Sequence, residues 1–452
     1  MILYLSNAPT ELLALRSIVE GMPADFPEIR AADPSALAHP PSLDGVGIVM
    51  VRLLGGAAAW PGLAALAQQA ANAGVPLLAF GGEAAPDAEM TAASTVPSAT
   101  VAQAFEYLVH GGLPNMEQML RFVSDTVAMT GFGFEPPAAV PTTGVLYETA
   151  AGDGPLVAVL FYRAHLIAGN TLFVEDLCGA IEDLGGRAVA VWAYSLRPDH
   201  DGRVEALDLL EQLRPAAAIT TVLVSGTAAD DGLAWDASAL GVLDVPVLQA
   251  ITATSPSSAW QASTAGLSPV DVAMRVAIPE FDGRIVSVPF SFNEVVDEGD
   301  SLGTAVTAYR TVPDRVRRVA GTALRLARLR SIPVAERRVA IVMSAYPTRR
   351  SRIGNAVALD TPASVVALLE AMRAAGYRID RIPDSGDALM AELIDAFAYE
   401  EATLTDDQLR QAPGRWGATD YERWWQEVPP GAAAAVEAAW GPAPGSVYRD
   451  PA

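Results

Sequence analysis

The stretch that decides the fold is LVAVLFYRAHLIAGNTLFVEDLCGAIEDLGGRAVAVWAYSLR, residues 156–197. Its apolar runs VAVLFY (157–162) and AVAVWAY (188–194) read as buried parallel strands. Between them a helix is expected from about Thr171 to Leu184, entered by the capping side chains Asn170-Thr171 and stopped by Gly185-Gly186. Strand, helix and strand at this spacing form a βαβ unit with a right-handed crossover.

The same pattern continues on both sides. Downstream come a helix at 204–213 and strands at AAITTVLV (217–224) and VPVLQAI (245–251). Upstream, MILYLS (1–6), 47–53 and 75–80 read as strands, with helical stretches ELLALRSIVEGM (11–22) and 57–72 between them. The segment GFEPPAAVPTTG (133–144), with three prolines, favours an extended connector. Beyond residue 308, a helix is expected over 313–330, then a strand at RRVAIVMSAY (337–346), a helix entered at Asp360 and stopped by Gly376, and a strand at YRIDRIP (377–383). The expected class is α/β, with several doubly wound (Rossmann-like) parallel-sheet domains. They are an amino-terminal domain at 1–134, a second at 135–308, and an Arg-rich helix with the start of a third at 309–452, continued in a longer protein.

Composition narrows the function. The 452 residues sum to a net charge of −23, which opposes general affinity for nucleic acid or anionic membranes. All 30 basic residues are arginine, so neither a GxxxxGK[ST] phosphate loop nor a lysine Schiff base can form. Cys178 is the single cysteine, which excludes an internal disulfide and CxxC metal sites. The four histidines, His39, His110, His165 and His200, show no ligand spacing, so no metal site is expected. No export signal or membrane span is read, and a cytoplasmic location is expected.

Two loops lie where an open α/β sheet binds ligands, after a strand and before a helix. In the first, Arg163 can meet a carboxylate, His165 can exchange a proton, and Asn170 can donate to a ligand while capping the helix. Each also has a structural alternative: a surface ion pair, a hydrogen-bonded loop residue, a plain cap. The second, MSAYPTRRSRIGNAVALDTPASVVALLEAM (343–372), carries Tyr346, Arg349, Arg350, Arg352, Asn355 and Asp360. Asp360 is most simply an N-cap. Residues 310–352 hold 12 arginines against Asp314 and Glu336, a local charge of +10. That stripe can attract a polycarboxylate, or simply coat the solvated face of a helix.

At these loops the chain resembles the large-subunit family of aerobic cobaltochelatase and magnesium chelatase. The resemblance rests on VRLLGGAAAW (51–60), FYRAHLIAGNTLFVEDLCGAIE (161–182) and YPTRRSRIGNAVALDTPASVVALLEAMRAAGY (346–377). It implies an enzyme part, a ligase forming metal–nitrogen bonds, that inserts Co(II) as substrate into hydrogenobyrinic acid a,c-diamide in aerobic cobalamin biosynthesis. It also implies two smaller partner subunits, one a ring-forming ATPase hydrolysing ATP with Mg, as a lysine-free chain requires. His165 is then the candidate proton acceptor. Arg163, Asn170, Tyr346, Arg349, Arg350, Arg352, Asn355 and Asp360 are candidate corrinoid contacts. Members of the family extend beyond the counterpart of residue 452, so this chain alone is not expected to chelate metal. The family also reads Gly-Leu-Asp where Ala358-Leu359-Asp360 stands. A magnesium-chelatase large subunit, or a non-catalytic two-lobed cytoplasmic binding module, are the alternatives.

Overall fold

The computed structural model describes residues 1–83, 85–198, 201–225, 227–228, 235–236, 238–344, 353–354, 356, 358–396, 400–412 and 414–445. They group into two compact units, Met1–Arg330 and Ser331–Ala452. Among the described residues, β1 (Ile2–Ser6), β2 (Ile29–Ala32), β3 (Ile48–Leu53) and β4 (Leu77–Gly81) form a parallel sheet in the order β2-β1-β3-β4. Of these, β1, β3 and β4 are the apolar runs read from the sequence, buried on both faces, whereas the short β2, which alternates buried and more exposed residues, is not among the strands read there.

A larger sheet uses β5 (Thr143–Glu148), β6 (Leu156–Tyr162), β7 (Arg187–Ala193), β8 (Ala217–Thr220), β11 (Val247–Ala253), β12 (Ile285–Asp297) and β13 (Val306–Thr311). The remaining strands, β9 (Thr227–Ala228) and β10 (Trp235–Asp236), make a separate antiparallel pair. The order in the larger sheet is β13-β12-β11-β8-β6-β7-β5, parallel inside and antiparallel at both edges. The period-two alternation of β6 decides its packing. Val157, Val159 and Phe161 face the helices Leu172–Asp183 and Pro313–Ser331, while Ala158 and Leu160 face the helix Glu205–Leu213. Helix Leu172–Asp183 buries Phe173, Val174, Leu177, Cys178 and Ile181. Each large apolar side chain among them contributes about 2 kcal/mol. Burial pushes the Cys178 thiol up to about 12, so it behaves as a small apolar group.

Within the first unit the two sheets share a core, because Leu302, Val306 and Ala308 pack with Ile2, Tyr4 and Leu15. At its rim Arg16 bonds Asp297 at 3.0 Å. Ser301, the Gly299 amide and Arg16 hold the Asp297 carboxyl well below the usual carboxylate range.

Some elements depart from the sequence reading. The expected connector at 133–144 already contains the start of β5, an edge strand whose fit depends on its antiparallel partner β7. The long β12 mixes Ser, Asn and Glu among its aromatics, which hides it from a hydropathy reading. The strands expected at 337–346 and 377–383 are not formed over their described residues. A strand needs a partner for its backbone groups, and here Val339 and Val342 are 56% and 90% exposed rather than packed in a sheet. Among the described residues no helix is long and apolar enough to cross a membrane.

Candidate functional site

In the larger sheet the chain passes from β6 to β7 on one side and then returns across β6 to β8 on the other. The carboxyl ends of β6 and its neighbours therefore lie at a topological switch point, where open α/β sheets bind ligands. The short helix Arg163–Ile167 leaves β6 directly at this end.

His165 stands at the centre of a mixed aromatic and polar group. Its ring meets Phe173 edge-on at 5.0 Å and Tyr309 at 5.5 Å. The Tyr309 hydroxyl accepts from Arg275 Nη2 at 3.3 Å. Arg275 also donates through Nε to Asp271 at 2.9 Å and through Nη1 to Thr252 Oγ1 at 2.6 Å. Asp271, fully buried, accepts in addition from the Thr254 amide and hydroxyl at 3.1 and 2.9 Å. Arg275 sits in a π-helical turn, Ala273–Ala277, a geometry frequent at functional sites.

Burial, and after it the Arg275 charge, push the His165 pKa down to about 4. The imidazole is therefore neutral at pH 7, and its buried Nδ1 has no hydrogen-bond partner among the described residues. Such a ring can accept a hydrogen bond or a proton, but its basicity at neutral pH is weak. The adjoining Arg275–Asp271 pair adds fixed polarity without net charge. Among the described residues there is no group of three His, Cys, Asp or Glu side chains able to hold a metal ion.

A second buried network lies on the opposite face of the sheet. Arg284 donates to Val222 O and to Gln249 Oε1 (2.6 Å) through Nη1, and to Ser225 Oγ (3.0 Å) and Asp282 Oδ2 (2.7 Å) through Nη2. Both charged side chains are fully buried. Nearby, the Tyr162 hydroxyl at the end of β6 accepts from the Leu223 amide at 3.1 Å.

The residues singled out from sequence are distributed unevenly. Arg163 is buried and turned away from His165, donating to the carbonyls of Pro141 (2.9 Å), His110 (2.6 Å) and Val140 (3.0 Å). It ties the 128–142 segment to the end of helix Ser98–His110. The expectation that Asn170 and Thr171 cap the next helix through their side chains is corrected. Thr171 is the N-cap but makes no side-chain cap bond, its hydroxyl donating instead to Glu175 at 2.7 Å. The Asn170 Oδ1 accepts from the Tyr309 amide at 3.1 Å, because β13 offers a buried N–H that an exposed cap would leave unmet.

Asp360 does cap its helix, accepting from the Ala363 amide at 3.0 Å. Two residues earlier, Ala358 has φ +61°, the left-handed region that favours glycine. Tyr346, Arg349, Arg350, Arg352 and Asn355 lie outside the described residues. On helix Pro313–Ser331, Arg317, Arg318 and Arg325 are exposed on the face opposite Val316, Val319 and Leu324. Arg315 instead covers the Trp260 ring at 4.3 Å. Arg317, Arg318 and Arg325 thus belong to a solvated face, while Arg328 donates to the Leu184 carbonyl and Arg330 pairs with Asp244.

Sequence reasoning missed Thr252, Asp271, Arg275 and Tyr309, and with them Ser225, Gln249, Asp282 and Arg284. The Asp271-to-Arg275 spacing of one helical turn was the available signal. It reads the same on an exposed helix as on a buried one.

Comparison with known proteins gives a consistent result. A model of the CobN/Magnesium Chelatase family matches residues 105–451. The chain is 31% identical to the aerobic cobaltochelatase subunit CobN of Pseudomonas aeruginosa, across 99% of this chain and 37% of that protein. It is 26% identical to a magnesium-chelatase subunit of Rhodobacter capsulatus, across 76% of this chain and 30% of that one. Its fold is similar to the catalytic subunit of cobaltochelatase from Mycobacterium tuberculosis, with a TM-score of 0.74 and 43% identity over 99% of this chain and 36% of the other. The chain thus spans little more than a third of the length of these cobaltochelatase relatives.

Proposed function

Since the chain belongs to the CobN/magnesium chelatase family, we propose that it is part of the large subunit of an ATP-dependent cobaltochelatase. In this reading the whole protein inserts Co(II), as substrate, into hydrogenobyrinic acid a,c-diamide during aerobic cobalamin biosynthesis in the cytoplasm. The observation that carries the choice of metal and macrocycle is coverage. Two cobaltochelatase subunits align with 99% and 97% of the chain, whereas the magnesium-chelatase relatives align with 76% or less. ATP, with Mg, is hydrolysed by two smaller partner subunits, one of them a ring-forming ATPase. The lysine-free composition, which rules out a phosphate loop here, supports that division.

Cobalt entry displaces pyrrolic N–H protons, and these need an acceptor. His165, neutral at pH 7 and with no Nδ1 partner among the described residues, serves as a transient acceptor that, being a weak base, hands the proton on to water. Arg349, Arg350 and Arg352 pair with the peripheral carboxylates of the corrinoid, with Tyr346, Asn355 and Asp360 of the same loop as further contacts.

The test is a visible-absorbance titration of the protein with hydrogenobyrinic acid a,c-diamide in competition with protoporphyrin. A saturable corrinoid spectrum that porphyrin does not displace is expected, followed by turnover on adding Co(II), ATP and the partner subunits. Preferential porphyrin binding moves the assignment to magnesium chelatase. Corrinoid binding that never couples to ATP and Co(II) leaves a binding module. Replacing Arg349, Arg350 and Arg352 with Ala is expected to weaken corrinoid binding in a salt-dependent way, and unchanged affinity at low salt refutes the carboxylate role.

A further inference from the structure

The smaller sheet has its own switch point. From β1 the chain goes to β2 on one side and then to β3 on the other, so the crevice beyond the carboxyl ends of β1 and β3 is where a ligand is expected. A cavity of about 250 Å³ lies there. Its apolar wall includes Ala8, Ala14, Leu54, Met116 and Ile167, and its polar wall includes Thr10, Glu11 and Arg52. We propose that this cavity binds a carboxylate carried on a short aliphatic or aromatic body.

The argument begins with Arg52. Its Nη1 pairs with Glu11 Oε1 at 2.9 Å, its Nη2 reaches Gly82 O only at 3.5 Å, and its buried Nε has no partner among the described residues. A guanidinium has five donors, so most of this one's capacity is unused. Glu11 cannot absorb it, because its other oxygen already accepts from Tyr4 OH at 3.1 Å and Ser6 Oγ at 2.9 Å. A carboxylate is the acceptor that matches the guanidinium fork in two places at once.

The surroundings favour a negative ligand. Helices Pro9–Val19 and Leu113–Val127 both begin at the cavity, and neither N-terminus has a side-chain cap bond. Each contributes roughly half a positive charge at its N-terminus. With Arg52 and Glu11 cancelling, the site is left net positive by roughly one charge.

Size and closure define the body of the ligand. A dry cavity of about 150 Å³ accepts benzene, so this one takes a body of about eight to ten non-hydrogen atoms. Gly111, with φ +67°, lets the helix Arg163–Ile167 close one side, since a Cβ there would stand 2.8 Å from Ile167 Cδ1. Exposed Leu54 and Ala164 mark the mouth. The same chemistry fits a free small acid or the acidic arm of a larger molecule. The cavity shares the helix Arg163–Ile167 with the His165 group but is not lined by His165 itself, and the proposal does not depend on the chelatase reading.

The test is isothermal titration of the chain with hexanoate, benzoate, hexanamide and 6-(dansylamino)hexanoate. Saturable binding of hexanoate or benzoate is expected, with hexanamide weaker by at least about tenfold. Binding of the dansyl conjugate as tightly as hexanoate identifies an arm threading the mouth, and its exclusion identifies a free acid. Arg52→Met should weaken the acids by a similar factor. Because that change also opens the Glu11 pair, Ala164→Trp at the exposed mouth is the second variant, expected to block the acids with an unchanged melting temperature. Absence of binding by both acids at about 10 mM, a millimolar bound that so few contacts should meet, overturns the proposal. So does equal binding of acid and amide, or an Ala164→Trp protein that binds like the parent.

Discussion

Replacing His165 with Asn gives a sharp test of how the centre of the larger sheet is built. In the folded chain burial against Phe173 and Tyr309, with the Arg275 charge, pushes the imidazole down to about 4 from an ordinary 6.5. The unfolded chain therefore binds the proton more readily, and stability from this group is fully present above pH 6.5 and is lost as pH falls towards 4. The gap of roughly 2.5, at about 1.4 kcal/mol for each pH unit, makes that contribution roughly 3 kcal/mol. The assay is urea unfolding of the parent and His165→Asn at pH 4, 5, 6 and 7. The parent's advantage over the variant is expected to fall by about 3 kcal/mol across the series. Only four histidines are present, so the His165 ring resonance can be assigned by its loss in the variant. It should keep its neutral position at pH 5.5. A parent–variant difference that is flat with pH, or a His165 midpoint near 6.5, refutes the account of a buried neutral ring.

Arg284→Met leaves Asp282 charged and buried on the other face of the sheet, and should cost about 3 to 5 kcal/mol in urea unfolding. The double variant Arg284→Met with Asp282→Leu should recover more than half of that loss, since it removes the stranded charge. Asn170→Ala removes the acceptor for the Tyr309 amide and should cost about 1 to 2 kcal/mol. Hydrogen exchange at Tyr309 should quicken, whereas a pure helix-capping role would instead loosen the first turn of Leu172–Asp183.

The separation between what was legible and what was not follows element by element. VAVLFY and AVAVWAY are buried on both faces, so hydropathy alone located β6 and β7, and Gly185-Gly186 marked the end of the helix between them. RRVAIVMSAY has the same local character, yet its described residues form no strand, because an apolar run becomes a strand only where a neighbour supplies hydrogen bonds. Arg163 was placed correctly after β6, and sequence could not tell a ligand-facing guanidinium from one that holds three backbone carbonyls.

By itself, then, the sequence determined the α/β class, the order of its central strands and helices, the absence of lysine and of paired cysteines, and the strings that carry the family resemblance. These are local or compositional properties, written in neighbouring residues. Tertiary structure alone decided that His165 meets Tyr309 and Arg275, that Arg284 and Asp282 are buried together, and that Arg52 lines a cavity. Those groups are brought together from separate strand ends by the crossovers of the sheets. Their burial sets the desolvation that depresses the His165 pKa, and no single stretch of chain encodes it.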